Sequence, residues 1–114
     1  MKRIISAIVH DRPGVLNRVS SMFRRRGFNI ASLAVGHSEK EGFSRMTIVV
    51  DNVEGMQADQ ITTQLDNVVE VVEAADITDH PTVIRETALI KVSAPPSTRG
   101  QVKEILDLFS GIGV

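Results

Sequence analysis

The feature that most restricts how this chain can fold is a helix-length apolar stripe, closed at both ends by turn residues and set between two strand-like runs. Asp11-Arg12-Pro13-Gly14 is a turn-forming sequence that stops one run and opens a helix. Val15, Leu16, Val19, Met22 and Phe23 then fall at i, i+1, i+4, i+7 and i+8, the pattern of a helix with one buried side. Arg24, Arg25 and Arg26 close it where cations suit the negative end of the helix dipole. Gly27 stands where a left-handed residue ends a helix, and Asn29 opens a new strand. Residues 10–37 therefore read as strand, turn, helix, turn, strand.

The remaining elements follow from periodicity. Ile4–His10 has apolar residues on both sides, Ile4 and Ile8 against Ile5, Ala7 and Val9, which places it centrally in a sheet. Simple alternation along Asn29–His37 puts Ile30 and Leu33 on opposite faces. The polar run Ser38–Gly42 is a five-residue hairpin connection to a strand over Phe43–Asp51. A second helix over Met56–Leu65 places Met56, Ile61 and Leu65 roughly on one side, and Val68–Thr78 is a strand rich in β-branched residues. The order βαββαβ predicts an α+β, ferredoxin-like plait with an antiparallel sheet and helices on one face. Such a plait leaves an edge strand and a second sheet face open, so self-association is expected.

Beyond Thr78 the pattern starts again and stops. Thr82–Ser93 reads as a strand and Thr98–Phe109 as a helix, with Val102, Ile105, Leu106 and Phe109 on its apolar side. This is an incomplete second βα unit, so the chain divides into residues 1–79 and 80–114. A lone strand and helix cannot bury both apolar faces. The segment is expected to dock on the first domain or a partner chain, or else to be poorly ordered.

Composition narrows the function classes. With 114 residues, 42% of them hydrophobic and 24% charged, the chain suits one modest globular domain. A formal net charge of −1 gives no reason to expect a polyanionic partner. The absence of cysteine excludes disulfides and thiolate metal sites. The apolar run after Met1 is too short for a signal peptide or a membrane span, so a cytoplasmic protein that contacts no membrane is expected. His10, His37 and His80 are too scattered for a metal motif. Arg24–Arg26 on a plait suggests RNA, but the chain has neither Trp nor Tyr to stack bases, and no nucleic-acid partner is expected. Arg12 and Asn29 could be drafted into an acyl-phosphate hydrolase, yet no glycine-rich phosphate loop accompanies them. Ser6, Ser20 and Ser21 have no evident base, and no paired carboxylates stand at catalytic spacing; the chain is read as non-catalytic.

One constellation suggests binding. A helix starting at Gly14 turns the N–H groups of Gly14, Val15 and Leu16 outward without acceptors, a ready anion site. Asp11 suits an ammonium, and the Asn29 amide can donate and accept. Together these groups could hold a small zwitterion. The same residues also admit a plain structural reading, with Asp11 as a helix cap, Gly14 as a tight turn and Asn29 as a turn hydrogen-bonder.

Pro13–Leu16 (PGVL), Arg25–Leu33 (RRGFNIASL) and Ser44–Thr47 (SRMT), at this spacing, resemble the N-terminal ACT domain of the regulatory subunits of acetohydroxyacid synthase (AHAS), also called acetolactate synthase. The likeness spans nearly all of residues 1–79. VIRETALIKV and SAPPSTRG look like the opening of that family's second, ACT-like domain, truncated here. The resemblance implies two ACT domains side by side in one eight-stranded sheet. It also implies a large catalytic partner carrying thiamine diphosphate, magnesium and FAD, with no cofactor or metal in this chain. That partner would be activated by this chain and feedback-inhibited by a branched-chain amino acid, most simply valine. The effector carboxylate would sit on the Gly14, Val15 and Leu16 N–H groups, its ammonium against Asp11 and the Asn29 carbonyl, with Asn29 supplied across the dimer seam. Ile30 and Leu33 would line the aliphatic pocket. Many family members have Asn where this chain has Asp11. A stand-alone amino-acid-sensing ACT module of another enzyme is the alternative reading.

Overall fold

The computed structural model describes residues 2–113 and divides into two compact units, Met1–Val83 and Ile84–Val114. The first unit is the βαββαβ plait: β1 (Arg3–His10), α1 (Val15–Arg25), β2 (Asn29–His37), β3 (Phe43–Asp51), α2 (Gly55–Asp66) and β4 (Val71–Asp76). The strands pair antiparallel in the order β2-β3-β1-β4, so β1 and β3 are central and β2 and β4 are edges.

Alternation decides which side chains meet the helices. Ile5, Ala7 and Val9 of β1 lie opposite Ile48, Met46 and Ser44 of β3, and all six are buried. Val15, Val19, Met22 and Phe23 of α1, with Ala58, Ile61 and Leu65 of α2, close over that face. Leu16 lies about 100° round the helix from Val15 and remains 48% exposed. Val53, just before α2, is a core residue that periodicity does not single out. The side chain expected at Met56 lies outside the described residues.

The far end of α1 is locked by a Schellman motif. Phe28 N–H donates to the Phe23 carbonyl at 3.1 Å and Gly27 N–H to the Arg24 carbonyl at 3.2 Å. Gly27 takes φ +75°, a region open to glycine at little cost. The Phe23 and Phe28 rings meet edge to face at 6.4 Å, the apolar contact that accompanies such an ending. At the open end of β1, Arg3 Nε donates to Asp76 Oδ2 at 2.8 Å, and the Thr78 hydroxyl and N–H both reach Asp76 Oδ1.

The structure differs from the pattern reading in three places. In β2, Ile30 pairs with Val50 and Ser32 with Val49, which leaves Ala31 as a bulge. The extra residue turns Ile30 and Leu33 to the same, helix-bearing side rather than to opposite faces. Secondly, β4 begins at Val71, because Val68 and Val71 N–H groups are taken by turns to Leu65 and Val68. Thirdly, residues 82–93 form no strand. Val83, Ile84, Leu89, Ile90 and Val92 give the segment a strand-like composition, and a strand also needs a hydrogen-bonded neighbour. In the second unit α3 (Arg99–Leu108) is the regular element, and Leu89, Ile90, Phe109 and Ile112 are exposed.

Phe23 is 1% exposed and joins α1, the core and the Schellman contact. Phe23→Ala is expected to cost about 3–5 kcal/mol in urea unfolding followed by circular dichroism. Val69→Ala, at an 86% exposed site, should stay within about 0.5 kcal/mol of the parent.

Candidate functional site: the first turn of helix α1 and the open edge of β2

Gly14 is the N-cap of α1 at φ +84°, ψ −7°, and no side chain caps the helix. Asp11 is thus not the cap that the structural reading allowed. The first helical bond runs from Arg18 N–H to the Gly14 carbonyl at 3.0 Å. Val15 N–H, expected to be free, turns back to the Arg12 carbonyl at 3.4 Å. Among the described residues the unclaimed donors of this turn are the N–H groups of Gly14, Leu16 and Asn17. Asn17 replaces Val15 in the expected set.

Arg18 was not singled out by the sequence analysis and brings a cation to this turn. Its guanidinium lies where a Cβ on Gly14 would meet Nη1 at 3.1 Å, and its Nη2 reaches the Pro13 carbonyl at 3.4 Å and pairs with Glu70. The spacing from Gly14 to Arg18, four residues on one helix face, is a legible signal for that approach. Glu70 could not be found the same way, since it comes from the turn before β4. Burial alone would raise the Glu70 carboxyl. Its own backbone N–H, the Arg18 hydrogen bond and charge, and the Arg12 charge outweigh burial and hold it below the ordinary 4.5.

Asp11 lies toward the hairpin end of the sheet. Its N–H donates to the Gly42 carbonyl at 2.9 Å, and Oδ2 is 3.7 Å from His37 Nδ1, an ion pair when that histidine is protonated. Asn29 and Ile30 stand at the other end of β2, opposite Asp51 and Val50. Eight steps of strand separate Asn29 from His37, about 26 Å at ~3.3 Å per residue. Within one chain, then, the predicted residues fall into two groups. Asp11, Gly14, Val15 and Leu16 sit at one end of the edge strand, Asn29 and Ile30 at the other, and Leu33 midway.

The edge between them is apolar and open. Leu33 and Val35 lie opposite buried Ile48 and Met46 on the helix-bearing side, yet remain 38% and 51% exposed. The helices cover the central strands and stop short of the edge.

Comparison with known proteins gives this geometry its family. The model for the AHAS small subunit-like ACT domain matches residues 5–73. The chain belongs to that family. An acetolactate synthase small subunit of Mycolicibacterium smegmatis is 52% identical over 105 residues, covering 92% of this chain and 61% of its own length. A probable acetolactate synthase small subunit of Archaeoglobus fulgidus is 45% identical over 109 residues, covering 96% and 67%. The crystal structure of the acetolactate synthase small subunit from Thermotoga maritima superposes with a TM-score of 0.80 at 29% identity, covering 100% of this chain and 71% of that one. The chain thus spans about three fifths of the length of the first of these relatives. As an AHAS small subunit-like ACT domain it has, among the described residues, no cluster of three His, Cys, Asp or Glu placed to hold a metal, and no helix long and apolar enough to cross a membrane.

The Glu70 carboxyl is held below 4.5 in the folded chain. Its contribution to stability is therefore fully present above that value and is lost as pH falls through the folded-state pKa. Unfolding titrations of the parent and Glu70→Gln should show the parent more stable near neutral pH, the gap closing in the acid range below 4.5.

Proposed function

We propose that this chain acts as a regulatory subunit of acetolactate synthase. It pairs with a second copy through β2, binds the catalytic subunit, raises its activity, and makes it inhibitable by a branched-chain amino acid, with valine the simplest candidate. The carrying observation is the separation of the site into two groups at opposite ends of an uncovered edge strand. If β2 pairs antiparallel with its own copy about Leu33, residue 29 of one chain comes opposite residue 37 of the other. His37 touches Asp11, so Asn29 and Ile30 of the copy arrive beside the first turn of α1. Neither chain holds both halves of the site, and pairing supplies the missing half.

In that seam the effector carboxylate rests on the N–H groups of Gly14, Leu16 and Asn17, with Arg18 adding positive charge nearby. The ammonium meets Asp11 and the Asn29 carbonyl. Leu16, Ile30 and Leu33 give the aliphatic side chain an apolar wall. A ligand bound between two subunits changes activity only through different affinity for two arrangements of them, and this position is suited to that. Valine and isoleucine differ by one buried methylene, about 0.8 kcal/mol or roughly fourfold in affinity, so the choice rests on small packing differences. The catalytic partner carries the thiamine diphosphate, magnesium and FAD chemistry. Residues 80–114, or 84–114 by compactness, begin a second ACT-like domain. Their exposed Leu89, Ile90 and Phe109 support that reading, being apolar surface that further chain or a partner would cover.

Mixing the chain with the catalytic subunit should raise the rate of acetolactate formation, and valine should reverse the rise; an unchanged rate in both conditions refutes the proposal. In calorimetry Asn29→Ala should weaken valine binding by about tenfold or more, the loss of a hydrogen bond to a charged group. Asp11→Asn should weaken it or leave it unchanged, because Asp11 serves the ammonium. Distinctly tighter binding in Asp11→Asn would place that carboxylate at the wrong end of the ligand.

A further inference from the structure

The arginines that end α1 have no carboxylate to answer them. Residues 12–38 contain five arginines and no Asp or Glu, whereas residues 46–84 contain eight carboxylates and no Lys or Arg. A surface helix ordinarily balances such a run with acids four residues away. Here the positions four before Arg24, Arg25 and Arg26 are Ser20, Ser21 and Met22, and those four after are Phe28, Asn29 and Ile30. All three guanidinium-bearing residues are exposed. Arg24 Nη2 reaches the Ser21 hydroxyl at 3.4 Å, and Arg26 Nη2 donates to neutral Gln64 Oε1 at 2.9 Å. Among the described residues none of the three lies within 4.0 Å of a carboxylate, in contrast to Arg3 with Asp76 and Arg18 with Glu70.

Two of these charges, Arg25 and Arg26, line a concave surface, and Arg24 adjoins them in sequence. Arg25 and Arg26 border a shallow groove of about 300 Å³ with Met22 and Gln64. Arg26 and Gln64 continue into a second hollow of about 440 Å³ with Phe28 and Gln60. The helix dipole favours cations in this last turn, but three adjacent like charges also repel one another with nothing on the helix to relieve it.

We propose that Arg25 and Arg26, which border the hollows beside Met22 and Phe28, and the adjacent exposed Arg24 are the docking face for an acidic segment of the catalytic subunit. This rests on the regulatory reading above and names the surface through which it operates. Charge complementarity selects the occupant: an acidic protein segment fits a short groove with cations on one rim. A long nucleic acid would run on toward the carboxylate-rich α2–β4 side and be repelled. The place also connects docking to the effector, since only Gly27 and Phe28 separate Arg26 from Asn29. The hydrogen-bonded Schellman turn is the link between the β2 seam and the arginines.

The test uses the full chain and its catalytic subunit. Parent, Arg24→Gln/Arg25→Gln and Arg24→Glu/Arg25→Glu are each checked by thermal melting and by valine calorimetry, then titrated against immobilised catalytic subunit at rising salt. The parent affinity should fall at least about tenfold between roughly 50 and 300 mM NaCl, as screened charge contacts do. The Glu variant should bind at least about tenfold more weakly at low salt, with the Gln variant between and valine binding kept within about twofold. Arg45→Glu, on the other side of the sheet, should bind as the parent does. Undiminished binding by the Glu variant overturns the proposal, as does a salt-independent parent affinity. Equal loss of valine binding assigns the arginines a structural role instead. Salt-sensitive self-assembly of the parent that the Glu variant abolishes, without effect on the catalytic subunit, makes a second copy the occupant. Failure of the parent to bind the catalytic subunit at all removes the regulatory reading rather than this surface alone.

Discussion

The placement of helix α1, and of the candidate groups it carries, depends on how Phe23 and Phe28 end it. Phe23 is buried under the helix, and its carbonyl and ring both hold Phe28, so the chain leaves α1 in one direction and enters β2 in one register. That lock fixes α1 along the sheet. Its first turn then falls at the hairpin end beside Asp11 and His37, and its arginines fall at the Asn29 end. Were the turn loose, the open N–H groups and the cations would have no fixed relation to the edge strand between them.

The edge strand is the second constraint. The bulge at Ala31 brings Ile30 and Leu33 to the same side as Val35, and the helices do not reach far enough to cover them. An apolar strand with unpaired backbone is usually blunted by charge or proline. β2 carries neither: its only residue with a polar ring is His37, at one end. A strand like this favours pairing with its own copy. The proposed pairing would also unite the two separated halves of the proposed site, so one feature would serve the proposed assembly and the proposed ligand binding together.

Much of this was legible from residue order. The stripe Val15, Val19, Met22 and Phe23 (Leu16, read with them, is half exposed), the close at Gly27, the five-residue hairpin and the two-sided apolar pattern of β1 all depend on neighbours within a few positions, and the structure has them. The failures share a different cause. Residues 82–93 have the apolar, β-branched content of a strand, but a strand exists only with a partner strand. Val68 and Val69 have the right composition for β4 and are used in a turn instead. Ile30 and Leu33 share a face because of one unpaired residue whose presence no period reveals. Val15 N–H is claimed by the Arg12 carbonyl through the particular path of the Pro13–Gly14 turn.

Taken alone, the order of residues determined the βαββαβ plan and the helix ends, and it pointed to candidate groups for a zwitterion, because propensity, capping and periodicity act over short distances along the chain. Tertiary structure alone decided which of those groups stand together. It put Glu70 against Arg18 at the first turn of α1 and brought Asp11 to His37, at the end of β2 away from Asn29. It also left β2 uncovered. These are consequences of sheet register and of how far two helices extend across four strands, and they arise only when distant segments pack against one another.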